Sequence, residues 1–182
     1  MWRVLVQQIP DYFWLGLGKS TVINARLGTP DATITSDDLK FHYSFGNFAH
    51  VARNPEAMPF DNITVELLEP QTDVHNLCET ALADKPLDCK KAAMVSNGLT
   101  EHPALATAQL RVSLATIGPE AELRAFGHGK PGWVIALDTL DVRKTLAIEG
   151  GGRWVGGVYR GPSAVKNTGR TPLKVVVVRK ER

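Results

Sequence analysis

No apolar stretch of this 182-residue chain approaches the roughly 20 residues that span a bilayer, the longest being VVVV at 175–178 and the interrupted YFWLGLG at 12–18. No membrane partner is expected. Charge of one sign is missing too: 21 Lys and Arg stand against 19 Asp and Glu, and no basic run interleaves aromatics. The chain therefore carries no electrostatic footprint for nucleic acid or an anionic surface, which leaves a small-molecule ligand as the expected partner. The opening MWRVLV lacks the basic segment, apolar segment and cleavage site of a secretory signal, so a signal has either been removed or never existed. Catalytic signatures are absent as well. There is no Gly-x-Ser-x-Gly, and His42, His75 and His102 have no nucleophile motif beside them. GGG at 150–152 has no lysine or hydroxyl at phosphate-loop spacing and falls where a hairpin turn is needed.

Cysteine is scarce. Cys78 and Cys89 are the whole supply, and without a CxxC they argue against a zinc site. The chain between them closes a loop without strain, and the even count in a polar, Pro-containing setting favours a disulfide. Pairing would stabilise the fold by about 3 kcal/mol in the simplest entropic model and would require an oxidising compartment, periplasmic or extracellular. Two unrelated thiols would instead be compatible with the cytoplasm.

Strand signals dominate what is present. MWRVLVQQI, YFWLGLG, KFHYSFGNFAHVA, NITVELLE, AQLRVSLATI, GWVIALDTL, GRWVGGVY and PLKVVVVRK are short, rich in β-branched and aromatic residues, and bounded by Gly, Pro, Asn or Asp. An all-β fold is expected, with 43% hydrophobic residues to fill its core. KFHYSF sets Phe41, Tyr43 and Phe45 against Lys40, His42 and Ser44, so its strand has two unlike faces. The one helical candidate is 76–93, where Leu77, Ala81 and Leu82 have helical spacing before Lys85-Pro86.

The chain also repeats itself. HVARNPEAMPF at 50–60 and SAVKNTGRTPL at 163–173 each place a proline five residues after an Asn, Asn54 and Asn167, ahead of a run of strand formers. YFWLGLG at 12–18 can be laid on GWVIALD at 132–138, which aligns Phe13 with Trp133. The stretch between these landmarks is seven residues longer in the first copy, which assigns ARLGTPDATITSDD to a longer loop. Three regions follow: a first unit over 1–75, a linker over 76–94 and a second unit over 95–182. AQLRVSLATIGPEAELRAFGHGK precedes GWVIALD, whereas only MWRVLVQQIP precedes DYFWLGLG, so the first unit reads as shortened. The edge this leaves invites a homodimer.

These residues resemble the cupin superfamily, in which two motifs separated by a variable loop fold into a double-stranded β-helix, or jelly-roll, barrel. The second motif runs roughly Pro-x-Gly-x-x-His-x-x-x-Asn. FGNFAHVARN at 45–54 is similar, with Gly46, His50 and Asn54, one extra residue and no proline; RGPSAVKN keeps Asn167 but has Ser163 in the histidine position. The first motif offers His-x-His and a later Glu. Here Val6, Gln8 and Asp11 take those places in one copy, and Phe126 and His128 in the other.

The resemblance thus implies two cupin-like units that both lack the metal triad. Three or more His, carboxylate or thiolate ligands are the usual requirement for a catalytic metal, and neither copy supplies them. The leading expectation is a small-molecule-binding cupin with degenerate metal sites, little or no catalysis and no cofactor. Its pocket would be walled by Tyr12, Trp14, Tyr43, His50 and His128. The alternative is a divalent-metal enzyme of dioxygenase or isomerase type with His50 as one ligand, and the third reading is a structural or interaction module.

Overall fold

A computed structural model describes residues 10–90, 94–124, 132–137, 146–148, 153–155, 158–161 and 164–181. Val6, Gln8, Phe126, His128, the glycines at 150–152 and Ser163 lie outside the described residues. Among those described, every regular element is a β-strand. Two compact units emerge, one comprising the chain up to Gln71 with Thr80–Asp84, the other Thr72–Glu79 with the chain from Lys85 onward.

The described residues of unit 1 form two three-stranded antiparallel sheets. In one, β1 (Asp11–Gly16) lies between β4 (Phe41–Ser44) and β6 (Asn62–Leu67). In the other, β2 (Ser20–Arg26) lies between β3 (Ala32–Ser36) and β5 (His50–Arg53). The stretch read from sequence as a longer loop is thus a hairpin: Gly28, at φ 81°, turns the chain, and the alternating Thr33, Ile34 and Thr35 form β3.

Unit 2 repeats the scheme and adds to it. β12 (Gly132–Ala136) lies between β15 (Val158–Gly161) and β17 (Leu173–Lys180), while β16 (Ala164–Asn167) pairs with β13 (Leu146–Ile148). β14 (Arg153–Val155) joins β15. The additions are β10 (Leu110–Ile117) along the far side of β17 and β11 (Glu122–Arg124) along β16. β9 (Leu99–Ala106) then pairs with β10 and carries β7 (His75–Asn76) and β8 (Met94–Ser96). Among the described residues of unit 1 nothing takes the places of β10 and β11. The β8–β9 connection is Asn97-Gly98, both at positive φ, as a two-residue hairpin turn demands.

Register makes the correspondence residue-specific. Trp14 sits opposite Thr64 in unit 1, and Val134 sits opposite Val177 in unit 2; one step along, Gly16 faces Asn62 and Ala136 faces Val175. The twin asparagines perform one task. Asn54 Nδ2 donates to Met58 O at 2.6 Å and its Oδ1 accepts from Glu56 N at 2.9 Å; Asn167 repeats both contacts with Thr171 O and Gly169 N at 2.8 Å. Each side chain closes the turn into the last strand of its unit, an Asx turn stapled four residues ahead. Asn167 is fully buried and makes a third bond, to Ile117 O at 2.8 Å on β10.

The segment at 76–93 shows no helix over its described residues. Cys78 and Cys89 form a disulfide with Cα atoms 4.6 Å apart across a separation of 11, whereas a helix of that length would hold them roughly 16 Å apart. The apolar residues that suggested helix, Leu77, Ala81 and Leu82, are nonetheless buried. Tyr43 N donates to Ala81 O at 2.8 Å, which ties the closed loop to β4 within unit 1.

The core of unit 2 is aliphatic: Ala115, Ile117, Leu123, Val134, Val165, Val175 and Val177 are all wholly buried. At its margin Glu101, 2% exposed, accepts a two-pronged pair of hydrogen bonds from the Arg179 guanidinium, Nη2 to Oε2 being 2.8 Å. The pairing satisfies a carboxylate that would otherwise be costly to bury.

Candidate functional site

The alternation of strands decides which side chains face the space between the sheets of unit 1. On β1, Phe13 and Leu15 point to one side and are fully buried there with Phe41; Tyr12 and Trp14 point to the other, where Thr64 of β6 and His42 of β4 are their neighbours. From the second sheet Val22 and Asn24 of β2, Ile34 of β3, and His50 and Ala52 of β5 share a face. Between these sets lies a cavity of about 120 Å³ lined by Tyr12, Trp14, Asn24, His50, Asn62 and Thr64 among others. Its volume is on the order of four water molecules in the liquid.

Two polar atoms of residues that line it have no hydrogen-bond partner. Asn24 is 8% exposed and its Oδ1 is unbonded, as is His50 Nδ1. A buried acceptor left this way costs about 1–3 kcal/mol, which a bound donor would restore. Burial first, and the nearby Arg26 cation second, push the His50 pKa below its ordinary value, so the ring is neutral at pH 7. With His50 neutral, no formal charge lines the cavity among the described residues. Trp14 supplies a rigid wall, stacked on His42 at 4.0 Å and 11° and met edge-on by Phe60 at 5.6 Å. His42 is fixed further by Ser36 Oγ at 3.2 Å from Nε2, and its pKa is lowered to about 4 by burial and then by Lys40.

Tyr12, Trp14 and His50 therefore come together, and Tyr43 does not join them. It lies on the opposite face of the β1 sheet, with its hydroxyl donating to Asp11 Oδ2 at 2.8 Å. Burial, followed by this bond, raises its pKa. Gly46 N donates to the other Asp11 oxygen at 2.9 Å, so both oxygens of that carboxylate are engaged in holding β4 and its loop. Sequence reasoning missed Asn24, Asn62 and Thr64. The signal was available in the repeat, because NITVEL of the first copy carries Asn62 and Thr64 at the positions where LKVVVVRK carries Val175 and Val177.

Among the described residues the donor set around His50 does not fit a divalent metal. It is the one His, Cys, Asp or Glu among the cavity's lining residues, and among the described residues no group of three such side chains is placed to hold an ion. Likewise, among the described residues no helix is long and apolar enough to cross a membrane.

No family model and no curated protein matches the sequence. Solved structures do. AerE from Microcystis aeruginosa superposes with a TM-score of 0.64 at 11% identity, over 98% of this chain and 82% of that one. An oxalate decarboxylase studied for proton-coupled electron transfer gives 0.59 at 9%, over 98% of this chain and 65% of that one. Oxalate decarboxylase of Lactobacillus farciminis, in a formate complex, gives 0.58 at 10%, over 98% and 73%. These are cupin-fold proteins, and at such identities the likeness establishes architecture alone. The chain is an all-β protein with the cupin jelly-roll fold. It spans about two thirds of the length of the oxalate decarboxylases it resembles.

Proposed function

We propose that the chain is a two-cupin protein with a shortened first unit, and that unit 1 binds a small uncharged polar molecule between its sheets. One observation carries the reading. At matched register positions unit 2 has Val134, Val175 and Val177, all buried, where unit 1 has Trp14 and the exposed pair Asn62 and Thr64, with Thr64 Oγ1 donating to Asn62 Oδ1 at 2.8 Å, beside an unbonded Asn24 oxygen and His50 nitrogen. Asn24 Oδ1 and His50 Nδ1 are held without partners, which is what a ligand site leaves behind when empty. Asn24 Oδ1 can only accept, so the ligand brings an O–H or N–H to it, while His50 Nδ1 accepts or donates according to its tautomer. In this reading the metal sites are degenerate, the binding is not catalytic, and the disulfide supports export to an oxidising compartment.

The test is an NMR titration of the purified chain with acetamide, N-methylurea and glycerol. Amide shifts are expected in residues 20–26 and 50–53 and are expected to vanish in the double substitution Asn62→Val, Thr64→Val. Silence in that region with all three probes would sink the proposal. So would a full equivalent of bound metal by elemental analysis that His50→Ala removes.

A further inference from the structure

A second concavity of unit 1 is separate in chemistry from the cavity around His50. A groove of about 530 Å³ runs beside β3 and β4 and is walled on one side by Thr80–Asp84 from the disulfide-closed loop. Ile34 lines both this groove and the inner cavity, and His42, which stacks on Trp14 of the inner cavity, lines the groove. The inner cavity is uncharged; the groove carries Arg26 and Lys40 against the single carboxylate of Asp84.

Among the described residues neither Arg26 nor Lys40 forms an ion pair, although Arg53, Arg111, Arg124, Lys90, Lys166 and Arg179 all do. Arg26 is also held in place, its guanidinium carbon lying 3.9 Å from the centre of the Phe48 ring. A cation over a ring face is held by the ring's quadrupole while its N–H groups can still donate to another partner. Lys40 is half-buried beside His42, and the hydroxyls of Thr33, Thr35 and Thr80 border the same space. Two cations left unneutralised at one concavity, one of them prepositioned, form a receptor for an anion.

We propose that this groove is a binding site for a small acidic ligand, a carboxylate or phosphate compound whose anionic group is held between Arg26 and Lys40. The site is independent of the inner-cavity reading and stands or falls without it. Its test is isothermal titration of the whole disulfide-bonded protein with succinate, with inorganic phosphate, and with succinamide as the uncharged control. Saturable binding of succinate or phosphate is expected with a dissociation constant on the order of 1 mM or tighter. Arg26→Gln and Lys40→Gln should each weaken it by about tenfold or more, as expected for loss of a charge-assisted bond. Asp84→Asn should tighten it, and Lys174→Gln, which removes an exposed cation of unit 2, should leave it unchanged. Arg26→Lys keeps the charge and guards against mere loss of the Phe48 contact: it should retain more binding than Arg26→Gln. Succinate alone would assign a carboxylate ligand and phosphate alone a phosphate compound. Absence of binding by both anions, equal binding of succinamide, or an equal loss in Lys174→Gln would overturn the proposal.

Discussion

Replacing Asn54 and Asn167 by alanine, one at a time, asks how much of a turn's stability comes from its hydrogen bonds and how much from where they are made. Both side chains close the same turn with the same two contacts, but Asn54 is exposed and Asn167 is fully buried. In Asn54→Ala water replaces the lost amide, so the loss is the net worth of an exposed pair, about 0.5–1 kcal/mol. In Asn167→Ala the Ile117 carbonyl on β10 is left buried without its donor, which alone costs about 1–3 kcal/mol, and two further bonds are lost at about 1 kcal/mol each. The sum is about 3–5 kcal/mol. Equilibrium urea unfolding, followed by tryptophan fluorescence and far-UV circular dichroism together, gives both values and shows whether the units unfold as one. Equal losses in the two variants, or a larger loss in Asn54→Ala, would refute the assignment of Asn167 as the buried tie between the closing turn and the β10 strand.

Two other outcomes are open to measurement. Cys78→Ser with Cys89→Ser opens a loop of separation 11 and should cost about 3 kcal/mol by the chain-entropy relation; the native protein, denatured without reductant, should show no free thiol. Acid should destabilise unit 1. His42 titrates at about 4 when folded and at 6.5 when unfolded, so the unfolded chain binds more protons between those values and stability falls as pH drops through that window. The full shift corresponds to about 3 kcal/mol, which solvent at the partly exposed ring reduces to about 1–2 kcal/mol; the lowered pKa of His50 acts in the same sense. Urea midpoints at pH 7 and pH 4.5 measure the loss, and in His42→Gln it should shrink. An unchanged loss would remove His42 as its source.

The all-β class and the cupin resemblance were legible because the β-period, the turn residues and the Asn-to-Pro spacing are local. So was the disulfide, whose even count and short spacing need no tertiary knowledge. The helical spacing of Leu77, Ala81 and Leu82 misled because a covalent closure outweighs a weak propensity over one short segment. β3 was hidden because Gly, Pro and Asp around it read as one continuous loop, although the alternation of Thr33, Ile34 and Thr35 was there to find. Glu101 and Arg179 were out of reach for a different reason. They lie 78 residues apart, and nothing local distinguishes a buried Glu on β9 from a solvated one until β10 has brought β9 and β17 into one sheet.

What the repeat supplies beyond architecture is an internal control on what this fold requires. Pro59 and Pro172 recur with Asn54 and Asn167, and the asparagines make the same two contacts, so that turn is a requirement of the backbone. The inter-sheet positions do not recur: Trp14, Asn62 and Thr64 in one unit stand where Val134, Val175 and Val177 stand in the other, and β17 has β10 along its far side where β6 has no such neighbour among the described residues. Asn62 and Thr64 are exposed where Val175 and Val177 are wholly buried, so access to solvent accounts for that part of the polar set. Unbonded buried oxygens on Asn24 in unit 1 and on Ser113 in unit 2 each lower stability. On the proposed reading, Asn24 and His50 of unit 1 answer to the chemistry of what enters between its sheets, which makes that pair the first place to test for function.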